Sequence, residues 1–240
     1  MHATTLQQLT PVGGWLDAGR VRITPLNQHD VSFSSRQLLG LVKKIGRLDA
    51  SHLFMTLTHN MSLFWCWLTL AQRLMPHGEI ARRETELVIL RVAWNCRSRY
   101  EWGQHVDISL GVGLTVDDIA RVTLGADAPD LAPQIKLLMC ACDELHHERM
   151  LSEHTWLGLE AYYGKRQLIE VIMLIGFYEM LASFLNSAGV PLESRIEQIL
   201  QQSIVVSARI PPQCSVDKIE QLASLQVKAA VVVKQNETLR

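Results

Sequence analysis

The sequence predicts an all-α protein. Apolar residues recur at helical spacing along most of the chain, Gly, Pro and Ser/Thr punctuation separates them at helix-length intervals, and strand-like alternation is thin everywhere. Residues 1–33 carry Pro11, Gly13, Gly14, Gly19 and Pro25 without a sustained period, so an irregular N-terminal arm is expected, with a short strand at 21–23. A helical domain is expected over 34–193, opening with the stripe Leu38, Leu39, Leu41, Val42 and Ile45. A single helix is expected over 51–74, ended by Pro76 and Gly78, and the next over 80–96 with Leu87, Val88, Leu90 and Trp94 as core positions.

A further helix is predicted over 99–110, ending at Gly111 and Gly113. Thr115 followed three residues later by Asp118 has the form of an N-cap and opens a short helix to 124. Turn residues fill 125–133, and helices follow over 133–149 and 152–163, with Ser152 as the second one's N-cap. A long helix over 166–187 stops at Gly189 and Pro191. Residues 194–240 read as a C-terminal extension, helical over 194–208 with Ser194 as N-cap and Glu197 as capping-box partner. Pro211-Pro212 breaks that helix, and a last one is expected over 215–234.

The 240 residues are 48% apolar and 20% charged, enough for a sizeable core with some surplus, which favours a subunit interface. A net charge of −1 with no block of one sign points to neither nucleic acid nor a membrane surface as partner. The segment 171–190 approaches the length of a membrane span, but Glu179 and Asn186 lie inside it, so a buried core or interface helix is the expectation. Five scattered cysteines and a start without a basic-then-apolar pattern favour a cytoplasmic protein without a disulfide framework.

Chemistry concentrates in Tyr100-Glu101-Trp102-Gly103-Gln104-His105. Glu101 and His105 are four apart and share a helix face, where a carboxylate can orient an imidazole for proton transfer. The same spacing also fits an ordinary surface pair. Glu86 lies where an apolar run begins, and an antiparallel arrangement of its helix with the next would turn it toward Glu101 and His105. Glu86, Glu101 and His105 are therefore the candidate catalytic residues, with a carboxylate–imidazole metal site as the chemical alternative. Cys140 and Cys142 point about 200° apart on a helix and read as structural. Asp143-Glu144-Leu145-His146-His147-Glu148 reads as a solvated polar helix end, and Tyr178 and Asn186 as residues able to line a pocket.

Glu86-Leu87-Val88, the spacing to Glu101-x-x-x-His105, and Gly113-Leu114-Thr115 together resemble the carboxymuconolactone decarboxylase and alkylhydroperoxidase D-like family. Asp143-Glu144-Leu145-His146, Gly176-Phe177-Tyr178 through Asn186, and Gly189-Val190-Pro191-Leu192 resemble its longer members, so the likeness spans residues 20–193. It implies an alkylhydroperoxidase D-like helical fold and a homo-oligomer. The family's peroxidase branch uses Cys-x-x-Cys-x-x-x-His with an upstream glutamate. Here Ser98 and Glu101 stand at the two cysteine positions and Glu86 at the glutamate, and neither serine nor glutamate replaces a thiolate.

The decarboxylase branch, with a glutamate four before the histidine, is the better match. It implies a cofactor-independent lyase acting on a small unsaturated or lactone acid, with His105 as proton donor, Glu101 orienting it and Glu86 relaying or tuning the proton. No cofactor or metal is expected. Val106 and Asp107 follow the histidine where the branch carries a basic residue, which leaves Arg82, Arg83, Arg91, Arg97 and Arg99 as candidate clamps for a substrate carboxylate. The alternatives are a non-catalytic helical binding or assembly protein of the same fold and a metal-binding variant.

Overall fold

The computed structural model describes residues 4–27 and 51–205. Among these, helices α1 (Ser51–Leu57), α2 (Met61–Leu74), α3 (Arg82–Asn95), α4 (Arg99–Gly111), α5 (Val116–Val122), α6 (Pro133–Glu148), α7 (Glu153–Glu160), α8 (Lys165–Ala188) and α9 (Ser194–Gln202) follow in order. Two two-residue strands, β1 (Thr4–Thr5) and β2 (Ile204–Val205), pair antiparallel with Thr4 opposite Val205. The described residues are all-α apart from this ladder. The helices expected around 35–45 and over 215–234 lie outside the described residues.

The core is built around α3, which packs against α4, α6 and α8. Thr85 through Leu90, Val92 and Ala93 are all buried, so this helix is covered nearly all round rather than along one stripe. Helix α8 is long and apolar enough to cross a membrane by length and composition, yet half of that apolar window is buried inside the molecule. Its two polar interruptions are held from within: Glu179 by His146 and Arg149, Asn186 by the Cys96 carbonyl.

The capping signals at Thr115 and Ser152 hold: Thr115 and Asp118 exchange backbone–side-chain hydrogen bonds, and Ser152 Oγ accepts from the Thr155 amide. Gly189 closes α8 in the left-handed region at φ 68°. Four expectations are corrected. The helix over 51–74 is broken at Thr58–Asn60, because the Asn60 side chain accepts from the Leu63 amide and restarts the helix there. No strand forms at 21–23; the Arg22 and Ile23 amides bond instead to the Ala188 carbonyl at the end of α8.

Ser194 is the first residue of α9 rather than its cap, which Glu193 provides in extended conformation. Glu197 pairs with Arg99 instead of closing a capping box, and the helix ends at Gln202. The fourth correction concerns the domain limit. Helix α9 packs on α4 and buries Ile196 and Leu200, so residues 194–205 belong to the helical unit and not to an extension beyond 193.

Candidate functional site

A tight reversal joins α3 to α4. Asn95 ends the first helix, Cys96 caps it, Arg97 takes the left-handed conformation at φ 52°, and Ser98 stands at the N-cap of the second. Outside glycine that conformation is uncommon, and here it lets α4 return directly along α3. Glu86 lies ten residues before Cys96 and His105 nine after it, so the hairpin brings them level. The His105 Nδ1 and the Glu86 Oε2 are 2.7 Å apart. Both side chains are interior, Glu86 at 0% and His105 at 6% exposure.

The other Glu86 oxygen, Oε1, is 2.6 Å from Arg82 Nη1, one turn earlier on α3. Tyr178 of α8 closes the site: its ring meets the His105 ring edge-on at 5.1 Å between centroids. Burial, then the nearby Glu86 and Glu101, push the Tyr178 hydroxyl well above the ordinary tyrosine range, so it remains a neutral donor.

The expected Glu101–His105 pair does not form. Glu86 takes the imidazole from across the hairpin, and Glu101 is left 2% exposed with no hydrogen-bond partner for either oxygen. Burial pushes its carboxyl well above the usual carboxylate range, so it is held as a neutral acid. Ser98, at the other position where the peroxidase branch has cysteine, is buried with its Oγ likewise unpartnered. Arg82, one of the five candidate clamps, is thus placed at the site by its pairing with Glu86, whereas Ser98 was not singled out as a site residue from the sequence. Only the alignment against the Cys-x-x-Cys spacing gave a signal for Ser98.

The candidate arginine clamps sort by their partners. Arg91 holds Asp143 through two hydrogen bonds and also donates to the Val122 and Thr123 carbonyls. Arg99 is paired with Glu197, and Arg83 with the Gly113 carbonyl and Asp118. Arg82 is the arginine ion-paired to a candidate catalytic residue. Asn186 does not line the site; its amide donates to the Cys96 carbonyl at 3.0 Å and braces the end of α3.

The stretch 143–148 is not a freely solvated end. Asp143 accepts from Arg91 and Asn95, Glu144 receives Ser152 and Thr155, and His146 is 2.8 Å from Glu179. Nor do Glu86, Glu101 and His105 form the metal-type grouping. Among the described residues, the three-residue cluster with converging ligand atoms is Cys96, His146 and Glu179. Burial, Glu101 and Glu179 push the Cys96 thiol up to about 12, so it is no resting thiolate.

A second buried hub fixes α4 from its other side. Glu193 accepts from the Tyr100 hydroxyl at 2.9 Å, the Gln104 amide at 2.6 Å and the His52 backbone amide at 2.9 Å. It ties α1 and the start of α9 to the helix that carries Glu101 and His105.

Residues 62–141 match the model of the Carboxymuconolactone decarboxylase family. No curated protein matches the sequence. Among solved structures, the alkylhydroperoxidase AhpD core of a peroxidase-related protein from Ralstonia eutropha JMP134 aligns with a TM-score of 0.62 at 13% identity, over 72% of this chain and 94% of that one. A variant of the debrominase Bmp8 in complex with 2,3,4-tribromopyrrole gives 0.64 at 13% identity, over 76% and 97%. A peroxidase-related protein from Silicibacter sp. TM1040 gives 0.62 at 10% identity, over 72% and 94%. At such identities the likeness carries the fold alone. Residues 62–141 thus resemble the carboxymuconolactone decarboxylase family, and the helical frame shared with these structures gives the chain the alkylhydroperoxidase D-like helical fold.

Proposed function

We propose that this protein is a cofactor-independent carboxy-lyase acting by proton transfer on a small unsaturated or lactone acid, and that it works as a homo-oligomer. The observation that carries the reading is a buried Glu86–His105 pair beside a neutral, unpartnered Glu101 carboxyl.

Loss of carbon dioxide breaks the bond to the carboxyl carbon and sends its electron pair through the conjugated system onto the lactone carbonyl, giving a dienolate. The enzyme must stabilise that oxygen and return one proton to carbon. Glu86 holds His105 by Nδ1, which leaves Nε2 to deliver the proton. Glu101 donates a hydrogen bond to the dienolate oxygen, a role open to a carboxylic acid kept neutral by its surroundings. Arg82 retains donors beyond the one facing Glu86 and engages the substrate carboxylate.

The test is carbon dioxide release and proton uptake with carboxymuconolactone, for the purified chain and for His105→Ala. Turnover that falls about 10²–10⁴-fold in the variant supports the reading. Equal turnover in both excludes His105 as proton donor. No turnover from a folded wild-type chain removes this substrate and favours a non-catalytic binding protein of the same fold.

A further inference from the structure

Beside the Glu86–His105 site, three side chains from three different helices aim their ligand atoms at one point. Cys96 caps α3, His146 lies in the last turn of α6, and Glu179 lies within α8. The Cys96 Sγ is 3.8 Å from His146 Nδ1, Glu179 Oε1 is 2.8 Å from the same nitrogen, and all three atoms lie within 4.8 Å of one another.

A nucleophile–base–acid relay would place thiol and carboxylate on opposite ring nitrogens, so that a proton taken at one is balanced at the other. Here both face Nδ1. That is convergence on a centre. We propose that Cys96, His146 and Glu179 form a zinc site with its fourth position open to solvent.

The donor set is a thiolate, an imidazole and a carboxylate, the mixture that zinc accepts. A tetrahedral zinc holds sulfur about 3.5 Å from nitrogen and oxygen, and nitrogen about 3.3 Å from oxygen. The Sγ–Nδ1 distance of 3.8 Å is close to that already. Reaching the remaining distances needs side-chain shifts of about 1 Å, a small opening of His146 from Glu179 and a closing of the thiol on the carboxylate.

The surroundings support the ligands. Arg149 Nη1 donates to the second oxygen of Glu179 at 2.7 Å, which leaves Oε1 for one-oxygen coordination. The Asn186 amide pins the Cys96 carbonyl at 3.0 Å. Helix α3 packs on α6 and α8, and α6 packs on α8, so the three backbones are fixed relative to one another. The His146 and Glu179 side chains keep 24% and 17% of their surface exposed, which gives entry to the ion and room for a water. Thiolate and carboxylate together neutralise a divalent charge.

The experiment loads the full chain with Zn²⁺, removes excess by desalting and measures metal per chain, with Co²⁺ as the spectroscopic substitute. One zinc per chain is expected, together with a thiolate-to-cobalt charge-transfer band. Cys96→Ser should abolish the band, and Cys96→Ser and His146→Ala should each weaken zinc by more than the ~10–100-fold that loss of a supporting group costs. Arg149→Ala should fall within that range, and His154→Ala on α7 should bind as wild type. Substoichiometric zinc in the wild type, or a Cys96→Ser variant that binds like it, overturns the site. Neither readout uses turnover, so failure here leaves the lyase reading standing, and the converse holds.

Discussion

Glu101 is a carboxyl with 2% exposure and no partner for either oxygen, an arrangement whose cost depends on pH. Its folded pKa is raised above the ordinary 4.5, so its contribution to stability is fully present below about that pH and is lost as pH rises toward the folded value. Glu101→Gln is neutral throughout and removes this loss. Its stability relative to wild type should climb with pH above 4.5 at up to ~1.4 kcal/mol per unit, read from urea unfolding across pH. Parallel profiles for the two proteins would show that Glu101 ionises normally. Glu86, by contrast, has both of its oxygens engaged, one by His105 and one by Arg82. Glu86→Gln should destabilise the fold by about 1–3 kcal/mol, less than a fully buried pair because Arg82 is partly exposed, with denaturant midpoints as the measure. Much of this was legible in residue numbers: Glu86 and His105 lie almost symmetrically about the α3–α4 reversal. The solitude of Glu101 was not, because spacing on one helix does not tell which neighbour from another helix claims the imidazole.

Between elements, α4 packs closely against α9. A Cβ placed on Gly103 would sit 2.9 Å from Leu192 Cδ2 and 3.0 Å from Ile196 Cγ2, so the absence of a side chain is what lets the two segments meet. Ion pairs flank the contact, Arg99 with Glu197 on one side and Arg195 with Asp107 at 2.8 Å on the other. Gly103→Val should therefore destabilise the fold by about 1–3 kcal/mol and, by pushing α4 away from α9, lower turnover without touching a catalytic group. A thermal unfolding curve beside the carbon dioxide assay checks both; an unshifted melting temperature would mean that α9 yields freely. Helix periodicity and Gly/Pro punctuation revealed the order of the elements from 80 to 188, with Thr115 and Ser152 marking two of the starts. They placed a boundary at 193 because the docking of α9 rests on a missing side chain in α4 and on charges nearly a hundred residues away, which no local pattern records.

At the scale of the whole molecule, the apolar surplus read from composition has a definite address. Helix α2 buries Phe64, Leu68 and Leu74 but exposes Leu63, Trp65 and Leu70, and α8, which packs against it, exposes Ile169, Met173 and Met180. Single exposed apolar residues are ordinary, whereas Ile169, Met173 and Met180 share one side of α8 and form an apolar stripe that water covers poorly. Composition indicated the surplus, yet it could not locate it, because the expected unbroken helix over 51–74 gave no reason to separate a buried stripe from an outward one. The break at Asn60 sets the rotation of α2 and so decides which residues point out. Under the homo-oligomer proposed above, the occupant of this stripe is a second copy of the chain, since a two-fold contact pairs one patch with itself. Ile169→Glu combined with Met173→Glu puts charge into that contact while disturbing little inside the subunit, where exposed substitutions cost about 0.5 kcal/mol or less. Light scattering on the eluting protein should show the wild type as an oligomer and the double variant as a smaller species with unchanged helical content. An oligomer of the same mass in both would place the subunit contact on another face and leave the α8 stripe without a role in assembly.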